Sequence, residues 1–297
     1  MANSIALAKL YAPLLQEAWA KESLTSLFES GELASVAKSA MANEVSVPTL
    51  SLAGLKDYSK VNGYSDANIS LTWQTKQLTK DRGIKFNLDA VDNLESMQII
   101  AGNVLSKEQR DYVVPEIDAY RFSQIVTFAD SSQKVEASLS TGSAVLSAFD
   151  TAMVALDEAN VPADGRVLFV SNSIYALLKG AFANRFIQNK DTAIGRDVEY
   201  IDNVRIVRVP LARFKTGWAK DDTNGGYTQS GEAINFLLIH PSSVFAVVKH
   251  NPVRMFTPEE NQEADAYQFT LRIYHDIFAV PCKGKGIYVH KEAAASA

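Results

Sequence analysis

Cysteine is almost absent from this chain. Cys282 stands alone among 297 residues, so no intrachain disulfide framework can hold the fold and nothing points to an oxidising compartment. Long apolar runs are missing too: no stretch approaches the roughly 20 consecutive apolar residues that a membrane helix needs. The start, Met1-Ala2-Asn3-Ser4, lacks the basic region of a signal peptide. The chain reads as soluble and intracellular, with no membrane partner. An excess of positive charge is also lacking. The 29 basic side chains are outnumbered by 34 acidic ones, for a net charge of −5, which argues against a protein whose main task is gripping nucleic-acid phosphates.

The signatures of enzyme chemistry are missing as well. His240, His250, His275 and His290 are scattered, with no His-x-x-x-His or Cys-x-x-Cys pair, so neither a metal nor a cofactor is expected. There is no Walker loop and no G-x-G-x-x-G, and Gly284-Lys285-Gly286 reads as a turn. Leu139-Ser140-Thr141-Gly142-Ser143 lacks the flanking glycines of a nucleophile elbow. Asp221-Asp222-Thr223-Asn224-Gly225-Gly226 has no closing glutamate for calcium and reads as a hairpin tip. Glu259, Glu260, Glu263 and Asp265 read as a solvated acidic face. No catalytic residue is assigned, and an enzyme is not expected.

What is present is an ordinary globular composition, 47% hydrophobic and 21% charged, long enough to bury a sizeable core. The leading residues are helix-prone, but Ile5, Leu10, Leu14, Trp19, Leu24 and Phe28 make no single stripe and Pro13 forbids an unbroken helix. They predict a short helix plus an arm. Val45 to Leu55 reads as extended, with Pro48 at an edge. Ile69, Leu71 and Trp73 alternate with polar residues, and Ile84, Phe86 and Leu88 alternate again. With Lys80-Asp81-Arg82-Gly83 as turn chemistry between them, these segments predict a long hairpin with a charged tip. Two strands alone are marginal in water, so such a hairpin needs a surface to lie on.

From Asp92 the spacing turns helical, through Leu94, Met97, Ile100 and Val104 or Leu105. It resumes past Pro115 at Ile117, Phe122, Ile125 and Phe128, which predicts one kinked helix or two that meet at the proline. An α/β body follows. Leu146, Phe149, Met153 and Leu156 mark a helix ended by Asn160 and Pro162. Arg166–Val170 is a buried strand, and a helix capped by Ser171 or Asn172 closes at Gly180. Strands are predicted at Val198–Tyr200, Val204–Val209, Ile234–Ile239 and Val244–Lys249, with a polar loop from Thr216 to Ser230. The closing strands are Tyr267–Ile273, Ile277–Val280 and Ile287–His290. The fold class is α+β, with an arm, a projecting hairpin and a long helix ahead of the body.

That order, read with four particular segments, resembles the major capsid proteins of tailed bacteriophages, which share the Hong Kong 97-type fold. The segments are Val114-Pro115-Glu116-Ile117-Asp118-Ala119-Tyr120-Arg121; Val161-Pro162-Ala163-Asp164-Gly165-Arg166 running into Val167–Ser171; Phe236 to Val244; and Tyr274–Phe278 with Lys283–Tyr288. The resemblance implies an N-arm and leading extended segment over residues 1–55 and an E-loop hairpin over 56–90. It implies a spine helix with peripheral (P) domain helices over 91–160. The axial (A) domain and remaining P-domain strands fall over 161–297, with Thr216–Ser230 near a capsomer's centre.

The function it implies is a structural subunit that self-assembles into hexamers and pentamers of an icosahedral shell around the double-stranded DNA of a tailed phage. The location would be the virion, after assembly in the host cytoplasm. Trp73, Lys80, Asp81, Arg82 and Phe86 are expected at the assembly interface of the E-loop, Trp73 and Phe86 as apolar contacts and Asp81 and Arg82 as candidates for intersubunit ion pairs, and Pro115 as a candidate hinge of the spine. Lys76, Lys80 and Lys85 read as charged solvated residues rather than covalent crosslinking sites. The implied partners are copies of the chain itself, a separate scaffolding protein (the arm begins too close to Met1 for a cleaved scaffolding extension), a portal and, as a further candidate, a decoration protein. DNA is enclosed without sequence-specific binding. An encapsulin-like nanocompartment shell is the alternative, and a small-molecule enzyme with an α/β core the more distant rival.

Overall fold

The computed structural model describes residues 23–30, 44–51, 60, 70–89, 107–183, 199–221, 223–250, 253–281 and 283–294. Among them the order begins with β1 (Glu44–Ser51), β2 (Ser70–Gln77) and β3 (Lys80–Asp89). A π-helical turn (Gln109–Val113) then runs into α1 (Val114–Phe128), followed by β4 (Lys134–Glu136), α2 (Gly142–Glu158), β5 (Val167–Ser171) and α3 (Asn172–Ala183). Next come β6 (Tyr200–Ile201), β7 (Val204–Val209), β8 (Lys215–Lys220), β9 (Tyr227–Ile239) and β10 (Val244–His250). The last strands are β11 (Val253–Phe256), β12 (Ala266–Ala279) and β13 (Ile287–Lys291). No helix of the described residues is long and apolar enough to cross a membrane.

The larger sheet has seven strands in the order β4-β13-β9-β5-β7-β6, with β8 paired to β9. Side chains alternate across a strand, so β5 and β9 each feed two cores. Leu168, Val170, Phe236 and Leu238 meet Val145, Phe149 and Leu156 of α2 and Ile174 and Leu178 of α3. Phe169, Leu237 and Ile239 meet Phe122 and Ile125 of α1 on the opposite face. Gly142 lets α2 and α3 approach closely, because a Cβ there would lie 2.6 Å from the Leu177 carbonyl. The expected boundary at residue 160/161 therefore runs through one packed layer: α2 lies before it, and its core partners lie after.

Arg166 fastens α2 to β5. Its guanidinium is fully buried and donates to the carbonyls of Val161 (2.6 Å) and Pro162 (2.9 Å) and to Asp157 (2.6 Å). Arg166→Met strands these acceptors and is expected to lower the unfolding free energy by about 2–3 kcal/mol, read by urea denaturation of the subunit. A change below about 0.5 kcal/mol would contradict this account.

The smaller sheet is built on β12. Gln268–Leu271 pairs with β11 on one edge and β3 on the other, while β10 continues the β11 edge along Tyr274–Ala279. Ile277, expected in a strand of its own, is part of this single 14-residue element. The first turns of α1, through Val114 and Ile117, pack on Leu271 and Ile273 of β12. One helix thus touches both sheets, and eleven of its fifteen residues are buried.

Several expectations change. β2 and β3 do not form a hairpin with each other: β2 pairs with β1 and β3 with β12. The turn residues Lys80-Asp81-Arg82-Gly83 lie inside β3, opposite His275 to Arg272. Gly83 serves close approach rather than a turn, since a Cβ there would meet the Leu271 carbonyl at 3.1 Å. Long-range pairing outweighs local turn preference.

At Pro115 the helix continues without a break. The preceding turn widens to π geometry, which accommodates a residue with no N–H to donate and a ring that would crowd the turn before it. Gly180 lies within α3 rather than after it. Most of the described part of Thr216–Ser230 is strand, so β8 and β9 form a hairpin, closed at its tip where the Asp221 N–H donates to the Gly226 carbonyl (3.1 Å). The helices expected before Ser23 and over Asp92–Leu105 lie outside the described residues.

Candidate assembly surface

The ribbon of β1 and β2 has a buried foot and an exposed body. At the foot Val45 and Val47 pack on Leu78, Phe245, Val247 and Phe278, and Lys76 lies 6.0 Å over the Phe278 ring. Further along, Leu71 and Trp73 share one face of β2 and are 56% and 61% exposed. The register places Pro48 across from Trp73 and Leu50 across from Leu71. Among the described residues nothing covers this face, and a two-stranded ribbon does not stabilise itself in water.

The joint between ribbon and body is closely hydrogen-bonded. Asp276, 3% exposed, accepts bonds from the Thr79 N–H (2.8 Å) and hydroxyl (2.9 Å), the Tyr120 hydroxyl (2.7 Å) and the Ile277 N–H (2.8 Å). Burial, and then the Asp276 carboxylate, push the Tyr120 phenol above its ordinary value. The Lys80 ammonium sits between the rings of Tyr120 (5.1 Å) and Trp218 (4.9 Å), a pair of cation–π contacts. Arg82 donates to Glu116 of α1 (2.7 Å) and to the Gly226 carbonyl (2.7 Å), joining the ribbon's continuation to the tip of the β8–β9 hairpin.

These observations locate the residues expected at an interface. Trp73 lies out on the ribbon. Lys80, Asp81, Arg82 and Phe86 lie on β3 and have partners within the chain. Asp81 pairs with Arg272 at the surface, where such a bridge contributes little. Phe86 stacks on Phe269 at 5.5 Å. Lys80, partly exposed, lies between two rings, and Lys85 pairs with Glu263.

A second contact is one that sequence reasoning did not find: the segment Ser23–Ser30 is bound to α1. The Asp118 carboxylate, fully buried, accepts from Ser23 (3.0 Å), the Leu24 N–H (3.1 Å) and Thr25 (2.6 Å), with Arg213 at 3.5 Å. One turn on, the fully buried Arg121 donates to Thr25 (3.0 Å) and lies 2.7 Å from Glu29. That last contact is ionic rather than an aligned hydrogen bond. Phe28 completes the seat against Phe169, ring centroids 6.0 Å apart. The available signal was a charged pair, Asp118 and Arg121, set three apart inside an apolar stripe.

His275 lies beside this region, 2% exposed, with its ring edge-on to Tyr120 at 5.7 Å. Burial, and then the cations Arg121, Lys80 and Arg82, hold it well below the ordinary imidazole value. Burial lowers His290 and His240 as well. The unfolded chain therefore takes up protons that the folded chain refuses. The stability is intact above the unfolded value of about 6.5 and is lost progressively as pH falls below it, by up to about 1.4 kcal/mol per pH unit for His275 and by less for the more solvent-screened His290 and His240. Unfolding free energies measured at pH 7 and pH 5 are expected to show this loss, and His275→Phe to remove one proton from it. An unchanged slope in the variant would contradict the assignment. Among the described residues no group of three His, Cys, Asp or Glu side chains could hold a metal.

No protein-family model and no curated protein matches the chain. Solved structures do. A chain of the mature capsid of bacteriophage PhiM1 is 12% identical, with 86% of this chain and 83% of that one covered at a TM-score of 0.64. In the capsid of Cyanophage P-SCSP1u the identity is 12%, the coverage 86% and 85%, and the TM-score 0.63. A virus-like particle from Pyrococcus furiosus gives 13% identity, 94% and 97% coverage and a TM-score of 0.54. Chains from phages are the more numerous among the similar structures. The similarity is one of fold, extending over most of the polypeptide.

Proposed function

We propose that this chain, built on the Hong Kong 97-type fold of bacteriophage capsid proteins, is the major capsid subunit of a tailed phage. Copies associate as hexamers and pentamers of an icosahedral shell that encloses double-stranded DNA. The observation that carries the proposal is the β1–β2 ribbon, whose apolar face at Leu71 and Trp73 is exposed beyond a firmly anchored foot. In this reading the ribbon and the residues between its strands are the E-loop, so that the loop begins at β1 rather than at residue 56. The four-stranded sheet with the start of α1 forms the P domain, and the seven-stranded sheet with α2 and α3 the A domain. Ser23–Ser30 anchors the N-arm to its own spine helix, and the π turn before Pro115 is where the spine bends.

The role is structural rather than enzymatic. A separate scaffolding protein, a portal and a decoration protein belong to the proposal as partners, as does assembly in the host cytoplasm. The encapsulin-like alternative draws on the virus-like particle from Pyrococcus furiosus, matched at 94% and 97% coverage. Negative-stain images of the protein expressed alone and with its genomic neighbours test the reading. Closed shells are expected, and a terminase and portal gene nearby would favour the phage. A cargo enzyme gene would favour the compartment, and monomers at high concentration would defeat both.

A further inference from the structure

The hairpin of β8 and β9 is firmly rooted in the large sheet and jointed just above its root. At the root Phe214 and Ile234 are fully buried, and the Ile234 N–H donates to the Phe214 carbonyl (3.1 Å). The ladder then slips. Lys215 lies across from Ala233 but Gly217 across from Ser230, so β9 carries one extra residue. Gly231 sits in this bulge at a φ of +76°, where a Cβ would collide with Thr216 Oγ1. A Cβ on Gly217 would meet the Ser230 carbonyl at 2.9 Å. A bulge bends its strand and interrupts the ladder. The outer hairpin, Gly217–Lys220 with Tyr227–Ser230, therefore leaves the sheet at a defined joint.

Beyond the joint the outer hairpin lies across the start of β3. Trp218 and Gln229 are directly opposite in its ladder, so their side chains leave the same face. Lys80 and His275 are opposite in the β3–β12 ladder and likewise share a face. The two faces meet around Tyr120, whose ring centroid is 5.1 Å from Trp218 and 5.7 Å from His275, with the Lys80 ammonium 4.9 Å from the Trp218 ring. At the tip the Arg82 guanidinium donates to the Gly226 carbonyl (2.7 Å). Among the described residues the Trp218 indole N–H, both ends of the Gln229 amide and His275 Nδ1 are buried with no hydrogen-bond partner. Each loses water without regaining a bond, which offsets part of what the ring contacts contribute. We propose that the outer hairpin is a hinged flap, closed over Lys80 and Arg82 by these contacts and opening as a unit at the bulge. Opening returns the Trp218 and Gln229 polar groups to water and uncovers two cations of β3 just beyond the ribbon's foot. The flap belongs to the single subunit and needs no neighbouring copy.

The test is amide hydrogen exchange of the full-length, unassembled protein, read by mass spectrometry. Two strands released from a surface hold their own ladder poorly, so exchange at residues 217–220 and 227–230 reports opening, and exchange at 234–239 reports the body. Arg82→Met removes the tip bond and is expected to speed exchange in the outer hairpin about tenfold, with 234–239 unchanged. Gln229→Met keeps the length of the side chain and removes the unpartnered amide, and is expected to slow the same exchange about fivefold. Acylation of Lys80 by a water-soluble ester should rise in the first variant and fall in the second. Wild-type exchange in Arg82→Met overturns the proposal, and so does a change shared equally by the outer hairpin and 234–239. Faster exchange in Gln229→Met would show that the amide is already satisfied, by water for instance, and that the closed hairpin is not poised to open. Faster exchange in Arg82→Met with unchanged Lys80 reactivity would mean fraying of the tip instead of a flap. Should Arg82→Met fail to fold, Gln229→Met decides alone.

Discussion

Leu71→Ser/Trp73→Ser should leave the subunit folded and abolish its assembly. Both side chains are more than half exposed in the single chain, so removing them changes the subunit's own stability by no more than about 0.5 kcal/mol. In the proposed shell the same side chains would lie against a neighbour, where losing two apolar anchors costs about 4 kcal/mol per subunit. At about 1.4 kcal/mol per tenfold, the concentration needed for assembly rises roughly a thousandfold. Light scattering and negative-stain counts of shells, set beside circular dichroism of the soluble fraction, separate assembly from folding. Wild-type yields of shells from the double variant would mean that the ribbon's exposed face is not the contact that closes the surface.

Replacing Asp118 is expected to have the largest effect on the subunit itself. In Asp118→Ala the donors of Ser23, Leu24 and Thr25 lose their common acceptor, and Arg213 loses the buried carboxylate 3.5 Å away. Breaking a buried ionic cluster from one side costs about 3–5 kcal/mol. The leading segment should release before the body does. Limited proteolysis is therefore expected to cut near Ser23–Ser30 at denaturant concentrations where the two sheets still resist. Uniform protection of that segment in the variant would show that Phe28 and its apolar neighbours hold the seat unaided.

Period was legible in the sequence and partnership was not. The offsets of Leu146, Phe149, Met153 and Leu156 mark α2, and the alternation from Tyr267 to Ile273 marks β12, because each pattern is local and repeats the geometry of its element. The same alternation in β2 and β3 is equally plain, yet it does not say which strand lies alongside. Lys80 to Gly83 carry turn residues, and turn residues are what a local reading trusts. The pairing of β3 with β12 spans nearly two hundred positions and leaves no mark in that neighbourhood. Asp118 and Arg121 escaped notice for a related reason. Charges on a helix ordinarily face water, and only the buried segment Ser23–Ser30 gives this pair its purpose. Trp73 could be singled out because a tryptophan on a polar strand has no local use. The anchoring of Lys80 by two rings depends on Trp218, which no spacing rule connects to it.

The single helix that touches both sheets acts as a lever. At about 1.5 Å per residue its fifteen residues reach roughly 22 Å, so a tilt of about 5° at one end swings the other by about 2 Å. Close-packed side chains cannot yield that far. The stretch from Val114 and Ile117 to Phe122 and Ile125 therefore fixes the angle between the sheets, and the widened turn Gln109–Val113 lies at the rod's entry, outside that span. In the proposed shell, fivefold and sixfold rings would therefore differ in how subunits meet rather than in the angle between one subunit's sheets.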